Sequence, residues 1–298
     1  MTFVASRVPL SRPRAANAGL DASTGDWITF LDDDDVLLPG HVAGLVAAQR
    51  NAGTSQVIYT LARAQMADGR EVLWGRPFAL QQLYERNFVH LATALFSREL
   101  LELGCRFDES FEIMQDWDFF LQCAQHTTFH FEPRQTFLWR AERGSSGAAG
   151  GANHQPKRFA DFRNRIYEKW ARQRDALTDR VAGALRDIVQ RAQSPDLVGA
   201  EHACHAILEY SQNDPHVLNL LAMLHKNAGR LREARQVQEL ACAVHPEDPS
   251  LAYNLALVCR MQGDLANARR HAHRAVRTAP DFSAAIKLLA DLDSFGVA

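Results

Sequence analysis

The chain has 298 residues and a formal net charge of −2 at pH 7, enough length for two domains with a sizeable core in each. Its near-balanced charge gives no electrostatic case for a nucleic-acid partner or an anionic membrane. No apolar run approaches the ~18 residues of a membrane span and the N-terminus carries no signal-peptide core, so the expectation is a cytoplasmic protein, or one peripheral at the inner face of a membrane.

In chain order, apolar runs bounded by turn residues alternate with helical patterns up to about residue 140. Candidate helices cover 11–23, 40–51, 98–103 and 115–125, and candidate strands 27–31, 56–61, 127–132 and 136–140; that alternation argues α/β. The strand Trp27-Ile28-Thr29-Phe30-Leu31 stops in four consecutive aspartates, Asp32 to Asp35. Carboxylates at the carboxyl edge of an open α/β sheet lie where such folds bind ligands. Two of them about 4 Å apart repel by roughly 4 kcal/mol at an effective dielectric near 20, and a divalent cation turns that liability into a site. A solvated acidic loop, or caps for the helix beginning near Gly40, is the plainer alternative. An EF-hand does not fit, because the glycine at loop position six and the glutamate at twelve are missing. The five cysteines (Cys105, Cys123, Cys204, Cys242, Cys259) are odd in number and form no C-x-x-C pair, which predicts reduced thiols, most of them buried, rather than disulfides or a zinc site.

A glycine- and serine-rich stretch, Gly144 to Gly151, marks a linker over 144–155. After it no strand pattern appears. Residues 156–193 read as one or two long connecting helices with Phe159, Phe162, Ile166, Tyr167 and Trp170 on or near one face. From 194 to 298 the chain repeats itself: Pro215 and Pro249, Ala222 and Ala256, Gly229 and Gly263, Ala234 and Ala268, Ala241 and Ala275, Pro246 and Pro280 are all 34 residues apart. This resembles the tetratricopeptide repeat, in which small residues let two helices pack closely, glycine ends the first helix and proline closes the second. Residues 215–248 and 249–282 are then full repeats, 197–212 the second helix of a degenerate preceding one, and 283–292 a capping helix. The geometry of that family implies a protein-binding groove on Asn219, Met223, Lys226, Tyr253, Leu257 and Arg260; these positions also suit ordinary surface.

The first half carries a second resemblance. Arg14-Ala15-Ala16-Asn17-Ala18-Gly19-Leu20, followed by Gly25-Asp26-Trp27-Ile28-Thr29-Phe30-Leu31-Asp32-Asp33-Asp34-Asp35 and Pro39, resembles the family 2 glycosyltransferases of GT-A fold, with a looser likeness to about residue 145. The expected fold is a partial GT-A, Rossmann-like α/β domain over 1–143, followed by an all-α tetratricopeptide-repeat domain. The resemblance implies Mn²⁺ or Mg²⁺ held by Asp32 and Asp34 against the diphosphate of a nucleotide-sugar, with Arg14, Asn17, Asp33 and Asp35 on the donor side. A further stretch, Gly104-Cys105-Arg106-Phe107-Asp108-Glu109-Ser110 and then Gln115-Asp116-Trp117-Asp118-Phe119, resembles the family's acceptor region. It makes Asp116 the general base, with Trp117 and Asp118 at the acceptor; Gln115 replaces the usual acidic residue before the base. Capping the following helix is the structural alternative for Asp116. Beyond Phe137-Leu138-Trp139-Arg140 many members have a histidine ligand two residues after the arginine; here Glu142 stands there, and His154 is a substitute from the linker.

The expected reaction is inverting, metal-dependent transfer of a sugar to a hydroxyl on a glycan, lipid-linked or protein acceptor, with protein partners at the repeats. Family members normally begin with two βα units carrying a P-x-(Y/F)-N motif and a base-binding aspartate; this chain starts at Met1-Thr2-Phe3-Val4, almost directly before Arg14–Leu20, so those units are expected to be lacking. The competing expectation is an inactive transferase remnant serving as a repeat scaffold.

Overall fold

The computed structural model describes residues 2, 6–66, 68–140, 155–192 and 197–294. The chain forms two compact units, one of residues 1–78 and 83–173, the other of 79–82 and 174–298.

The N-terminal unit is a mixed α/β domain. Its elements in chain order are α1 (Arg12–Ala22), β1 (Trp27–Ile28), β2 (Val36–Leu37), α2 (His41–Asn51), β3 (Val57–Gln65), β4 (Glu71–Trp74), α3 (Leu80–Glu85, whose first turn belongs to the other unit), β5 (Ala94–Ser97), α4 (Glu99–Glu102), α5 (Gln115–Cys123) and β6 (Phe129–Trp139). The strands order as β1-β5-β3-β6-β2, with β4 also paired to β3. Among the described residues only β3 and β6 run parallel, and every other pair is antiparallel. The sheet of this α/β domain is therefore mixed. β3 is central because Val57, Ile58, Tyr59, Ala62 and Ala64 are all essentially inaccessible, as a strand covered on both faces requires. The rings of Phe78, Phe96, Phe107, Phe119, Phe120 and Phe129 are buried around it, with Phe107 stacked on Phe119 at 4.6 Å and Phe78 on Phe129 at 4.4 Å.

Two of the expected strands, 127–132 and 136–140, are one. The register of β6 on β3 passes from Thr60 opposite Glu132 to Leu61 opposite Gln135. Pro133, which has no N–H to give the ladder, therefore sits in a bulge rather than ending the strand. The strand expected over 27–31 is shorter than its composition suggests. After Ile28 the chain leaves the sheet, Phe30 turns its ring onto Phe96 and Phe107, and Leu31 is 52% exposed.

The first residues of α6 (Pro156–Ala192) belong to this unit as far as Gln173, and the rest of that single helix to the next. The second unit is all-helical: α7 (Leu197–Tyr210), α8 (Pro215–Asn227), α9 (Leu231–Val244), α10 (Pro249–Met261), α11 (Leu265–Thr278) and α12 (Ser283–Ser294). It is an array of tetratricopeptide-like helix pairs. Pro215 and Pro249 open α8 and α10 behind Asp214 and Asp248, whose carboxylates accept the first free N–H groups. Gly229 and Gly263 take left-handed φ of 75° and 78° where α8 and α10 end. The alanines at the 34-residue offset (Ala222, Ala256, Ala234, Ala268, Ala241, Ala275) are at most 1% exposed, which is how paired helices approach closely. Val181 and Ile188 of α6 join Ala200, Cys204 and Ile207 of α7 in one core, so the late part of α6 supplies the first helix that the degenerate preceding repeat needed. All five cysteines are buried free thiols.

Candidate active site

The two motif regions of the N-terminal unit are fastened to each other by side chains that the sequence had suggested for ligands. The Asn17 amide donates to the Phe107 carbonyl at 2.9 Å and accepts from the Phe107 N–H at 3.0 Å, so both ends are spent on backbone, as a strand partner's would be. Arg14 is largely exposed and pairs with Glu109 at 2.8 Å; Arg106 reaches Asp21 at 3.5 Å. Asn17, expected on the donor side, thus braces the two motif regions against each other.

The aspartates lie on the loop between β1 and β2, closed by Asp35 N–H to the Asp32 carbonyl at 3.3 Å. Oxygens of Asp32, Asp34 and Asp35 lie within 4.8 Å of one another. Burial first, then the charges of Asp34 and Asp33, raises the Asp32 pKa against the opposing pull of Arg12. Asp33 is exposed and outside the cluster, whereas Asp35, expected beside the donor, is inside it. Asp35 also accepts the Arg140 N–H at 2.9 Å, which ties the loop to the end of β6. An all-carboxylate, half-exposed donor set suits a hard divalent cation that retains water and phosphate oxygens, so the residues fit Mg²⁺ or Mn²⁺. Glu142 and His154 lie outside the described residues.

Asp116 occupies the first turn of α5 and is not its cap: the helix begins at Gln115 behind Met114, a non-glycine residue at φ 61°. Its carboxylate is half-buried and accepts from Asn87 Nδ2 at 2.9 Å. Desolvation lifts its pKa to about 6, over the opposing bonds from the Trp117 and Asp116 N–H groups and Asn87, and the Asp32 charge adds to the rise. A carboxylate with a pKa near neutrality can accept a proton from a hydroxyl at working pH. That Asp32 acts on Asp116 brings the two motifs, 84 positions apart, to one place.

Trp117 and Asp118, expected at the acceptor, face the interior. Trp117 is 3% exposed, donates to the Leu83 carbonyl at 2.6 Å and meets Tyr167 edge-on. Asp118 is fully buried; it accepts from Trp170 Nε1 at 2.9 Å, Gln122 Nε2 at 2.7 Å and the Lys169 ammonium at 2.9 Å. With its lone pairs used in this way it has nothing to offer an acceptor. It holds α6 instead. Asn87, which donates to Asp116, and His90, whose ring lies 5.0 Å from those of Phe137 and Trp139, were not foreseen; neither sits in a motif.

In the second unit, the six groove residues lie on one face of α8 and α10, and all remain at least partly exposed. Asn254 links the two helices through Asn219 at 2.8 Å, and Tyr253 rests against Phe282 at 5.2 Å.

Residues 10–103 match the glycosyl transferase family 2 model. A PGL/p-HBAD biosynthesis glycosyltransferase of Mycobacterium bovis is 31% identical over 111 residues, which are 37% of this chain and 42% of that protein. The uncharacterized protein y4gI of Sinorhizobium fredii is 28% identical over 149 residues, 47% of this chain and 16% of that protein. The chain thus spans less than half the length of these relatives. Among solved structures, an O-GlcNAc transferase mutant of Thermobaculum terrenum has a TM-score of 0.36 and 25% identity, covering 39% of this chain and 22% of its own. The Sgt2 repeat domain of Aspergillus fumigatus has a TM-score of 0.37 and 16% identity, covering 38% and 77%. Residues 10–103 thus carry the glycosyl transferase family 2 match, and a tetratricopeptide-like helical array follows in the second unit.

Proposed function

We propose that this protein transfers a sugar, with inversion, from a nucleotide-sugar to a hydroxyl acceptor, and that its repeats bind a protein partner. The observation that carries the reading is Asp116: a half-buried carboxylate with a pKa near 6, held by Asn87, within electrostatic reach of a three-carboxylate cluster. In this mechanism Asp32 and Asp34, with Asp35 beside them, would hold Mn²⁺ or Mg²⁺. When bound, the cation neutralises the departing diphosphate as a Lewis acid. Asn87 orients the Asp116 carboxylate toward the acceptor hydroxyl. Asp116 takes the hydroxyl proton as the oxygen attacks the anomeric carbon and the nucleoside diphosphate leaves.

The test is transfer and hydrolysis of labelled nucleotide-sugars with Mn²⁺. Asp34→Asn is expected to abolish transfer and weaken Mn²⁺-dependent donor binding; Asp116→Asn is expected to abolish transfer and leave donor binding intact. Turnover that survives both substitutions defeats the proposal.

A second reading, an inactive transferase domain on a binding scaffold, is favoured by the unburied face of α8 and α10, where Met223 and Arg260 are exposed and Asn219 and Tyr253 are braced by neighbours. Calorimetric titration of UDP- and GDP-sugars separates the two: the absence of Mn²⁺-dependent donor binding favours the scaffold. Among the described residues no helix is long and apolar enough to cross a membrane.

A further inference from the structure

We propose that Trp74 and Trp139 form a stacking seat for a neutral pyranose ring of the acceptor, beside the carboxylate cluster; this rests on the glycosyltransferase reading and names the chemistry of its acceptor.

Strand register builds the seat. β2 and β6 place Val36 opposite Leu138 and Leu37 opposite Phe137, so continuing the antiparallel pairing by one residue sets Asp35 across from Trp139. Residues opposite one another share a face of the sheet, and the Arg140 N–H closes this corner on the Asp35 carboxylate. On the other side of β6, Ala62 of β3 faces both Trp74 and Phe137, and Ala64 faces Trp139. Because these two side chains are only methyl groups, the indoles meet across the central strand, with centroids 5.8 Å apart and planes at 79°. The His90 ring is a third wall, 5.0 Å from Trp139. Desolvation lowers its pKa to about 4, so it adds no charge. The same loop carries Asn87, which holds Asp116. Three short links, Asp35 to Arg140, Trp139 to His90 and Asn87 to Asp116, thus join aromatic rings, carboxylate cluster and base.

The two indoles are half-buried, and among the described residues neither N–H has a hydrogen-bond partner. The two buried tryptophans behave differently: Trp117 donates to the Leu83 carbonyl and Trp170 to Asp118. Neither indole nitrogen is among the fully buried atoms that lack a partner, so both N–H groups reach solvent and are open to donate to a ligand hydroxyl. A pyranose matches such a surface, with a C–H face to stack and hydroxyls to accept. The surrounding carboxylates favour a neutral ring here over a second anionic group.

The experiment follows the five tryptophan indole N–H resonances of the full ¹⁵N-labelled chain, assigned with Trp74→Phe and Trp139→Phe. The protein is titrated with methyl glycosides of glucose, galactose, mannose and rhamnose, and separately with uridine. The expected result is saturable movement of the Trp74 and Trp139 signals with at least one glycoside and not with uridine. Trp139→Ala should weaken that binding at least tenfold, read at Trp74, while Trp139→Phe weakens it less. Unmoved signals with every glycoside, or equal movement with uridine, overturn the seat. Mn²⁺ titration and labelled transfer on the same sample test the reaction separately. Transfer without glycoside shifts removes the seat alone, and glycoside shifts without Mn²⁺ binding or transfer remove the reaction alone.

Discussion

Replacing Asp116 with asparagine should abolish transfer and yet stabilise the protein, and the size of that gain should depend on pH. The folded carboxyl has a pKa of about 6 against an ordinary 3.8, chiefly because it is desolvated. A carboxylate with a raised folded pKa binds its proton more tightly folded than unfolded. Its contribution to stability is therefore complete below the unfolded value and lost as pH rises toward the folded one. About two pKa units correspond to about 3 kcal/mol lost by pH 7, and roughly half of that by pH 5. Asparagine keeps the shape and never ionises, but it loses one acceptor for the Trp117 and Asp116 N–H groups, so the net gain at pH 7 is nearer 1–2 kcal/mol. The assay is urea unfolding of both proteins from pH 4 to 7.5 in EDTA, followed by tryptophan fluorescence. The difference should grow through pH 5 to 6 in favour of Asp116→Asn and shrink when Mn²⁺ is added, because a cation on the neighbouring carboxylates lowers the Asp116 pKa. A difference that is flat with pH, or that favours wild type throughout, refutes the reasoning.

Lys169→Met should cost about 3 kcal/mol in urea unfolding, the low end for breaking a buried pair, because Lys169 is 35% exposed and Trp170 and Gln122 still donate to Asp118; adding Asp118→Asn should recover much of it in a double-mutant cycle. Asn17→Asp should cost about 1–2 kcal/mol, since a carboxylate cannot donate to the Phe107 carbonyl. Gly229→Ala should lower stability by about 1 kcal/mol through its left-handed backbone alone, as a methyl there meets no atom within 4 Å; a thermal melt that does not move contradicts this. None of the five buried thiols should react with a bulky thiol reagent before denaturation.

Much of this molecule was legible because its signals are periodic. The 34-residue spacing fixed the repeats down to the glycines at φ 75° and 78°. The aspartate loop stood out because four consecutive carboxylates follow an apolar run, and three of them, Asp32, Asp34 and Asp35, come within 4.8 Å of one another. Asp118 misled because its motif was read as a string of ligands. In the segment Gln115–Cys123 the run Trp117 to Leu121 is buried without a break, as is Cys123, so the helix is covered on nearly every side; an aspartate between Trp117 and Phe119 is then interior and paired. The strand after Gly25 was overextended because apolar composition does not distinguish a residue in the sheet from one folding back onto it, as Phe30 does. Asn87 and His90 left no trace, since a single polar residue on a loop gains its role only when the loop meets α5 and β6.

Composition puts the chain's joint at its glycine- and serine-rich stretch, but the compact N-terminal unit ends only at Gln173. The partners of Asp118, Lys169 and Trp170, come from beyond that stretch, as does Tyr167, whose hydroxyl donates to the Glu85 carbonyl at 2.7 Å. A break in the backbone at the joint therefore falls within one cooperative structure. It divides the unit into a large piece with a buried, unanswered carboxylate and a short helical piece that answers it. The two sides are complementary: Asp118 lies on one, and Lys169 and Trp170, which answer it, lie on the other.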